Sequence, residues 1–195
     1  MNIGLDLDGT LTTMDSTVDV FNRETGKELT IDDYWDYDLK KVYGLTSKES
    51  SDMWEKHSEE IFDRALPIWD LDAFLYRWST YKTTRKKRNK IYIVTARPEK
   101  YREITEAWLK RNHVEYDGLY MGYHTKLAAV IEHGLDVIID DKGEHIELID
   151  LEGTVECEAY VIDRPYNTWY KTKNRLYVKD IPVLPKGTKK QIQTQ

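Results

Sequence analysis

The chain has a single cysteine, Cys157, in 195 residues. No intrachain disulfide can form, and a reducing compartment suits it best. Positive charge is not in excess, since the formal net charge is −6. The chain as a whole therefore does not draw in a nucleic-acid polymer, and an anionic ligand would need local positive charge from lysine, arginine or a bound metal. No apolar run approaches membrane-spanning length. Asp6 and Asp8 interrupt the stretch where a secretory signal needs continuous apolar residues. The expectation is a cytoplasmic protein with no membrane partner; a homodimer is left open. Internal repeats are lacking, and the five histidines (His57, His113, His124, His133 and His145) show no zinc-ligand spacing with Cys157. Surface or core roles are expected for them. What is present, 33% charged and 40% apolar residues, is ordinary for a soluble chain. Its length allows one domain with a core of its own and a small accessory lobe.

The first distinctive stretch is Ile3-Gly4-Leu5-Asp6-Leu7-Asp8-Gly9-Thr10-Leu11-Thr12. Ile3, Leu5 and Leu7 alternate with other residues as one face of a strand would. Asp6 and Asp8, two residues apart, project to the same side while the chain stays extended. Gly9 then permits a sharp turn and a close approach of the backbone to a ligand. Two carboxylates so close shift each other's pKa unless a cation lies between them, and a hard divalent ion such as Mg²⁺ meets that need. Taken alone, the stretch reads better as an exposed acidic turn after a strand, and the rest of the chain reverses that preference.

From residue 14 to about 67 the pattern is helical and rich in aromatics. Residues 16–23 form one helix, stopped by Thr25-Gly26-Lys27. Thr30 caps a short aromatic segment, Ile31 to Leu39, with Tyr34, Trp35 and Tyr37. Thr46-Ser47-Lys48-Glu49 reads as a capping box for a longer helix through about Ala65, with Met53, Trp54, His57, Ile61 and Phe62 as its apolar stripe. A further helix runs from about Asp70 to Tyr81. The basic run Lys82–Lys90 lacks interleaved aromatics and reads as a solvated loop. Thereafter strand and helix alternate: strands 90–94, 118–122, 136–139 and 158–162, with helices from Pro98 to Asn112, 125–133 (capped by Thr125) and 143–151. Such alternation implies βαβ units and a parallel sheet covered on both faces. Residues 186–195 read as a flexible tail.

Ligands of parallel α/β sheets bind beyond the carboxyl ends of the strands. Three strand runs end there in polar residues: Asp6/Asp8, Thr95 and Asp140/Asp141. Lys126, in the first turn of its helix, could face an anion together with backbone N–H groups. Each residue alone has an ordinary explanation as a strand-end hydroxyl, a helix cap or a surface lysine. Jointly they suit a phosphorylated substrate held on Mg²⁺.

Asp6-Leu7-Asp8-Gly9-Thr10, Thr95-Ala96-Arg97, Lys126 and Asp140-Asp141 resemble, in order and spacing, the four motifs of the haloacid dehalogenase superfamily of phosphatases. Leu66-Pro67, Ile93-Val94-Thr95-Ala96-Arg97, Ile138-Ile139-Asp140-Asp141 and Asp163-Arg164-Pro165-Tyr166-Asn167 are similar to its 5′(3′)-deoxyribonucleotidase branch. The likeness covers about residues 1–12 and 66–170 and fades in the helical insertion. The resemblance implies an α/β fold: a parallel Rossmann-like sheet with helices on both faces and a small helical cap inserted after the first strand. Residues 1–13 and 68–185 would be the core and 14–67 the cap. It implies Asp6 as nucleophile, Asp8 as general acid and base, and Mg²⁺ on Asp6, the backbone carbonyl of Asp8 and Asp140. It further implies phosphate bound by Thr95 and the Ala96 N–H, with Lys126 offsetting charge. The cap aromatics Tyr34, Trp35, Tyr37, Trp54 and Phe62 could stack on a base; for the Tyr34-Trp35 segment that reading and the cap's own core stand equal. Trp54 and Phe62, on the helix stripe, read rather as core. Arg97 touches substrate or caps the site. The implied activity is Mg²⁺-dependent dephosphorylation of a nucleoside monophosphate. Rivals are another small phosphate monoester as substrate, or a binding regulator without turnover, against which intact Asp6 and Asp8 argue.

Overall fold

A computed structural model describes residues 1–83, 88–172 and 174–176. Residues 84–87 of the basic run 82–90, and the tail at 186–195, lie outside the described residues. Six strands are described: β1 (Asn2–Leu5), β2 (Lys90–Val94), β3 (Gly118–Tyr120), β4 (Val137–Asp140), β5 (Glu158–Ile162) and β6 (Arg175–Leu176). They form one sheet in the order β3-β2-β1-β4-β5-β6, and every neighbouring pair is parallel. The helices are α1 (Asp15–Thr25), α2 (Leu39–Tyr43), α3 (Ser47–Arg64), α4 (Leu71–Thr80), α5 (Arg102–Arg111), α6 (Lys126–His133) and α7 (Gly143–Glu152).

The strands are apolar on both sides because both faces of the sheet are covered. Ile91, Ile93, Val137 and Ile139 pack with Phe74, Trp78, Trp108 and Leu109 on one face. Their sequence neighbours Tyr92, Val94 and Ile138 pack with Ala129, Val130 and Ile146 on the other. Gly4 of β1 has no room for a side chain, since a Cβ would lie 2.7 Å from Ile138 Cδ1 and 2.8 Å from Leu135 Cδ1. The chain leaves β1 for β2 and β3, then crosses back to β4 on the other side of β1. That reversal opens a crevice at the carboxyl edge between β1 and β4, where α/β sheets bind ligands.

Residues between β1 and α4 form a third cluster, with Val18, Val20, Phe21, Tyr34, Tyr43, Ile61 and Phe62 buried together with Tyr101 and Tyr166. Two chain crossings join this helical segment to the sheet. The Thr13 N–H donates to the Leu66 carbonyl at 2.8 Å, and the Ile68 N–H donates to the Leu11 carbonyl at 3.0 Å. Behind them the Trp108 indole donates to the Ala65 carbonyl at 2.7 Å.

Local chemistry sets the element ends. The Thr46 hydroxyl accepts from the Glu49 N–H at 3.2 Å while the Glu49 carboxylate accepts from the Thr46 N–H at 2.8 Å, the reciprocal box that starts α3. Gly26 closes α1 in the left-handed conformation. Some expectations differ. β1 stops at Leu5, because the Leu7 carbonyl turns to accept from the N–H groups of Leu11 and Thr12, both at 2.9 Å. The segment 31–39 is a 3₁₀ turn, Ile31–Asp33, closed by Thr30 and Asp33, followed by extended chain up to α2. Thr125 occupies the N-cap of α6 without a side-chain bond, and Pro98 precedes a 3₁₀ turn, Glu99–Tyr101, before α5 begins. Among the described residues no helix is long and apolar enough to cross a membrane.

Candidate active site

Register brings the motif residues together. Leu5 lies beside Ile93 on one side and Ile139 on the other, so Asp6, Thr95 and Asp140 emerge at one edge. The Asp6 N–H, donating to the Ile139 carbonyl at 2.9 Å, holds the first of them in place. Lys126, only 1% exposed, reaches from the first turn of α6 to Asp6 Oδ1 at 2.8 Å and Asp140 Oδ2 at 3.3 Å. Carboxylate oxygens of Asp6, Asp140 and Asp141 lie within 4.8 Å of one another, all buried.

Three buried acids against one ammonium leave negative charge uncompensated. Burial, reinforced by Asp140, raises the Asp6 pKa to about 7 even though Lys126 works against the rise. Burial and then Asp140 and Asp6 push Asp141 well above the usual carboxylate range. Asp140 is the exception. Burial alone would raise it, but the Lys126 ammonium, the His145 ring and the Lys142 N–H hold it below its ordinary value. Burial opposes the charge of Lys126 as well, yet Asp6 and Asp140 keep its affinity for the proton above normal. An all-oxygen donor set with this surplus of charge fits a hard divalent cation.

The loop after β1 is shaped around the same cluster. Gly9 has φ +82°, and a Cβ there would lie 2.2 Å from Asp141 Oδ2 and 2.7 Å from the Tyr166 hydroxyl. Only glycine fits. Tyr166 in turn donates to Asp141 Oδ2, and the Asn167 amide donates to the Asp141 carbonyl at 2.6 Å. Arg164 Nε donates to the Gly9 carbonyl at 2.8 Å, tying the segment after β5 to the first motif.

Asp8 parts company with Asp6. Its side chain lies outside the buried trio and faces Arg97, whose Nε and Nη2 donate to its two oxygens at 2.8 and 2.6 Å. Thr95, 1% exposed, accepts from the Arg97 N–H through Oγ1 at 3.1 Å. The Ala96 N–H has no partner among the described residues and adjoins a cavity of about 630 Å³. This cavity lies between the helical segment and the sheet edge, lined among others by Asp8, Ala96, Arg97, Tyr37, Trp54, Phe62 and Tyr101.

The structure separates the aromatic alternatives. Tyr34 is 1% exposed, with its hydroxyl 3.0 Å from that of Tyr43, so its ring belongs to the segment's own core. Trp35 is 62% exposed and is not part of the cavity lining. The chain leaves the 3₁₀ turn extended, and Tyr37, 38% exposed, lines the cavity where Trp35 does not. It packs edge-on against Tyr166 with centroids 5.9 Å apart, and Lys142 Nζ stands 4.7 Å over its ring. Desolvation where its ring meets the acid cluster, then the charges of Asp141, Asp6, Asp140 and Asp8, raise its phenol above the ordinary range even though 38% of the residue stays accessible. Phe62 and Trp54 both pack in the core and face the cavity, a double duty that stripe periodicity cannot reveal.

His145, Tyr166 and the pairing role of Arg97 were not legible beforehand. His145 Nδ1 lies 3.1 Å from Asp140 Oδ2 and its Nε2 3.0 Å from the His124 carbonyl, orienting the acid from behind. Its signal was faint: a histidine in the first helical turn after a strand ending in Asp-Asp.

No family model matches the chain. A Halalkalibacterium halodurans protein named "putative nucleotidase" is 30% identical over 165 residues, which span 84% of this chain and 80% of that protein. A Bacillus subtilis protein of the same name is 28% identical over 168 residues (86% and 82%). A Clostridium acetobutylicum protein named "nucleotidase" is 24% identical over 168 residues (86% and 82%). Among solved structures, a "putative beta-phosphoglucomutase" from Thermotoga maritima matches 92% of this chain and 95% of that one, at TM-score 0.54 and 16% identity. A "putative phosphoglycolate phosphatase" from Lactobacillus plantarum matches 82% and 84%, at TM-score 0.51 and 12% identity. The two structures bear on fold alone.

Proposed function

Because the chain belongs to the family of these bacterial nucleotidases, within the haloacid dehalogenase superfamily of phosphatases, and is a phosphoric monoester hydrolase, we propose that it is a Mg²⁺-dependent 5′(3′)-deoxyribonucleotidase acting on nucleoside monophosphates. The observation that carries this reading is the buried Asp6–Lys126–Asp140 cluster at the carboxyl edge of the sheet, beside a cavity far larger than a phosphate needs. Residues 14–67 act as the cap, supported by their separate apolar cluster and the paired crossings at Thr13 and Ile68.

Asp6 attacks phosphorus through a carboxylate oxygen. The bond from phosphorus to the ester oxygen breaks, and that oxygen takes its electron pair together with a proton from Asp8. Asp8, now ionised, removes a proton from water as the water attacks the aspartyl-phosphate, and phosphate leaves with Asp6 restored. Thr95 Oγ1 and the Ala96 N–H hold phosphate oxygens, and Lys126 offsets their charge. Asp6, Asp140 and Asp141, with the Asp8 carbonyl, would hold Mg²⁺, which when bound neutralises phosphate charge and lets the anionic nucleophile approach. Asp140 already has both oxygens engaged by Lys142, His145 and Lys126, whereas Asp141 Oδ1 has no hydrogen-bond partner among the described residues. Asp141 thus joins Asp140 as a ligand. A reducing cytoplasm remains the setting that best suits the lone Cys157.

The test is phosphate release from a panel of ribo- and deoxyribonucleotides, sugar phosphates and p-nitrophenyl phosphate, with Mg²⁺ and with chelator. Mg²⁺-dependent preference for deoxyribonucleoside monophosphates is expected. Preference for a sugar phosphate would move the substrate and keep the chemistry. Full activity in excess chelator, or in an Asp6→Asn preparation, would overturn the mechanism.

A further inference from the structure

Arg97 is 3% exposed, although it borders the cavity. A buried guanidinium is costly unless its donors are met, and here each set has a fixed partner. Nε and Nη2 take both oxygens of Asp8, Nη1 donates to Thr105 Oγ1 at 3.2 Å, and the plane lies 3.9 Å from the ring centroid of Phe62. The backbone is held too: the Arg97 carbonyl accepts from the Gly122 N–H at 2.9 Å, and its N–H donates to Thr95. Asp8 is the only carboxylate paired with Arg97 among the described residues. The Asp8 side chain keeps 32% of its surface accessible, against 1% for Arg97. The acid is therefore gripped on one side and open on the other.

A forked, two-point contact fixes the rotation of a carboxyl group as well as its position. Left to itself, the terminal torsion of an aspartate is broad. Each oxygen retains a second lone pair, so a proton can reside on either one beside the fork. We propose that Arg97 is a positioning residue that orients the Asp8 carboxyl toward the leaving oxygen, with Phe62 of α3 as the back plate of its guanidinium. This rests on the acid role of Asp8 proposed above. Lysine cannot reproduce it, because an ammonium is a point charge without a plane to stack on Phe62 or two parallel donors to offer.

Proton donation matters in proportion to how poor the leaving group is. Nucleoside alkoxide needs it, whereas p-nitrophenolate leaves readily without it. The experiment measures the pre-steady-state burst, which reads only the first phosphoryl transfer, for a nucleoside 5′-phosphate and for p-nitrophenyl phosphate. The proteins are the full-length wild type, Arg97→Lys, Arg97→Ala and Asp8→Asn, each checked by thermal melt. General acid catalysis contributes roughly 10²–10⁴-fold, so Arg97→Lys is expected to lower the nucleotide-to-aryl ratio of burst rates at least about tenfold, with KM little changed. Millimolar guanidinium should restore part of the ratio in Arg97→Ala and none in Asp8→Asn. Equal losses on both substrates, or a raised KM with the ratio intact, would overturn the positioning role, since the first marks structural damage and the second substrate binding. If Asp8→Asn itself shows no split, the acid role of Asp8 fails; if Asp8→Asn splits and Arg97→Lys does not, only the present inference fails. Should Arg97→Ala not fold, Arg97→Lys decides alone.

Discussion

Replacing Asp6, the proposed nucleophile, should stabilise the metal-free protein at neutral pH relative to acid pH. Asp6 is 6% exposed and sits beside Asp140 and Asp141, with Lys126 as the sole ammonium among its paired groups. Burial raises its pKa from 3.8 to about 7. Between those values the folded state holds a proton that the unfolded chain has released. Stability is therefore retained in acid and falls as pH rises through the folded value, the penalty being complete above about pH 7. At about 1.4 kcal/mol per pH unit, that displacement is worth on the order of 4 kcal/mol, shared among coupled carboxyls. Asp6→Asn cannot ionise, and Lys126 still has Asp140 at 3.3 Å. The stability of the variant minus that of the wild type, measured by denaturant or thermal melts in chelator, should climb by a few kcal/mol between pH 4.5 and 7.5. For a chain of this size this is roughly 2–4 °C in Tm per kcal/mol. Mg²⁺ at about a hundred times its Kd should return about 2.7 kcal/mol to the wild type at pH 7.5 and much less to the variant. A difference that stays flat with pH, or equal stabilisation of both proteins by Mg²⁺, would refute the electrostatic account of this site.

Other outcomes follow from particular contacts. Gly9→Ala should abolish turnover and lower stability, because its Cβ has no room between Asp141 and Tyr166 and its φ of +82° strains any side chain; activity and a melt check both. Trp35→Ala, on an exposed side chain away from the cavity, should leave stability within about 0.5 kcal/mol and KM for a nucleotide unchanged, whereas Tyr37→Ala should raise that KM. An increase confined to Trp35→Ala would return the base platform to Trp35. Trp108→Ala should cost about 3–5 kcal/mol, since it empties a fully buried site and strips the Ala65 carbonyl of its donor, with kcat of the folded fraction preserved.

Strand and helix alternation, the capping box at Thr46 and the strand-end acids were all legible, because each is a local pattern whose physics acts within a few residues. The β2 and β5 limits, Lys90–Val94 and Glu158–Ile162, agree with the apolar runs that announce them. β6 was not legible, as two residues carry no periodicity and Arg175–Leu176 pairs only because β5 offers an edge. The aromatic segment illustrates the same limit. Tyr34, Trp35 and Tyr37 are all aromatic and lie within four residues, and only the extended chain after the 3₁₀ turn decides that one is core, one faces solvent and one lines the cavity.

The sequence by itself determined that Asp6, Thr95, Lys126 and Asp140-Asp141 would meet, since strands of a parallel sheet run the same way and deliver their ends to one edge. The tertiary structure alone decided how the meeting is arranged. Asp6 and Asp8 share a spacing that suggests one joint role, yet the turn at Gly9 sends one into a buried cluster with Lys126 and leaves the other to Arg97. Residues from three separate segments, Arg97, His145 and Tyr166, then fix the acids from behind. A hydrogen bond depends on ångström distances between groups remote along the chain, and no local pattern encodes that distance.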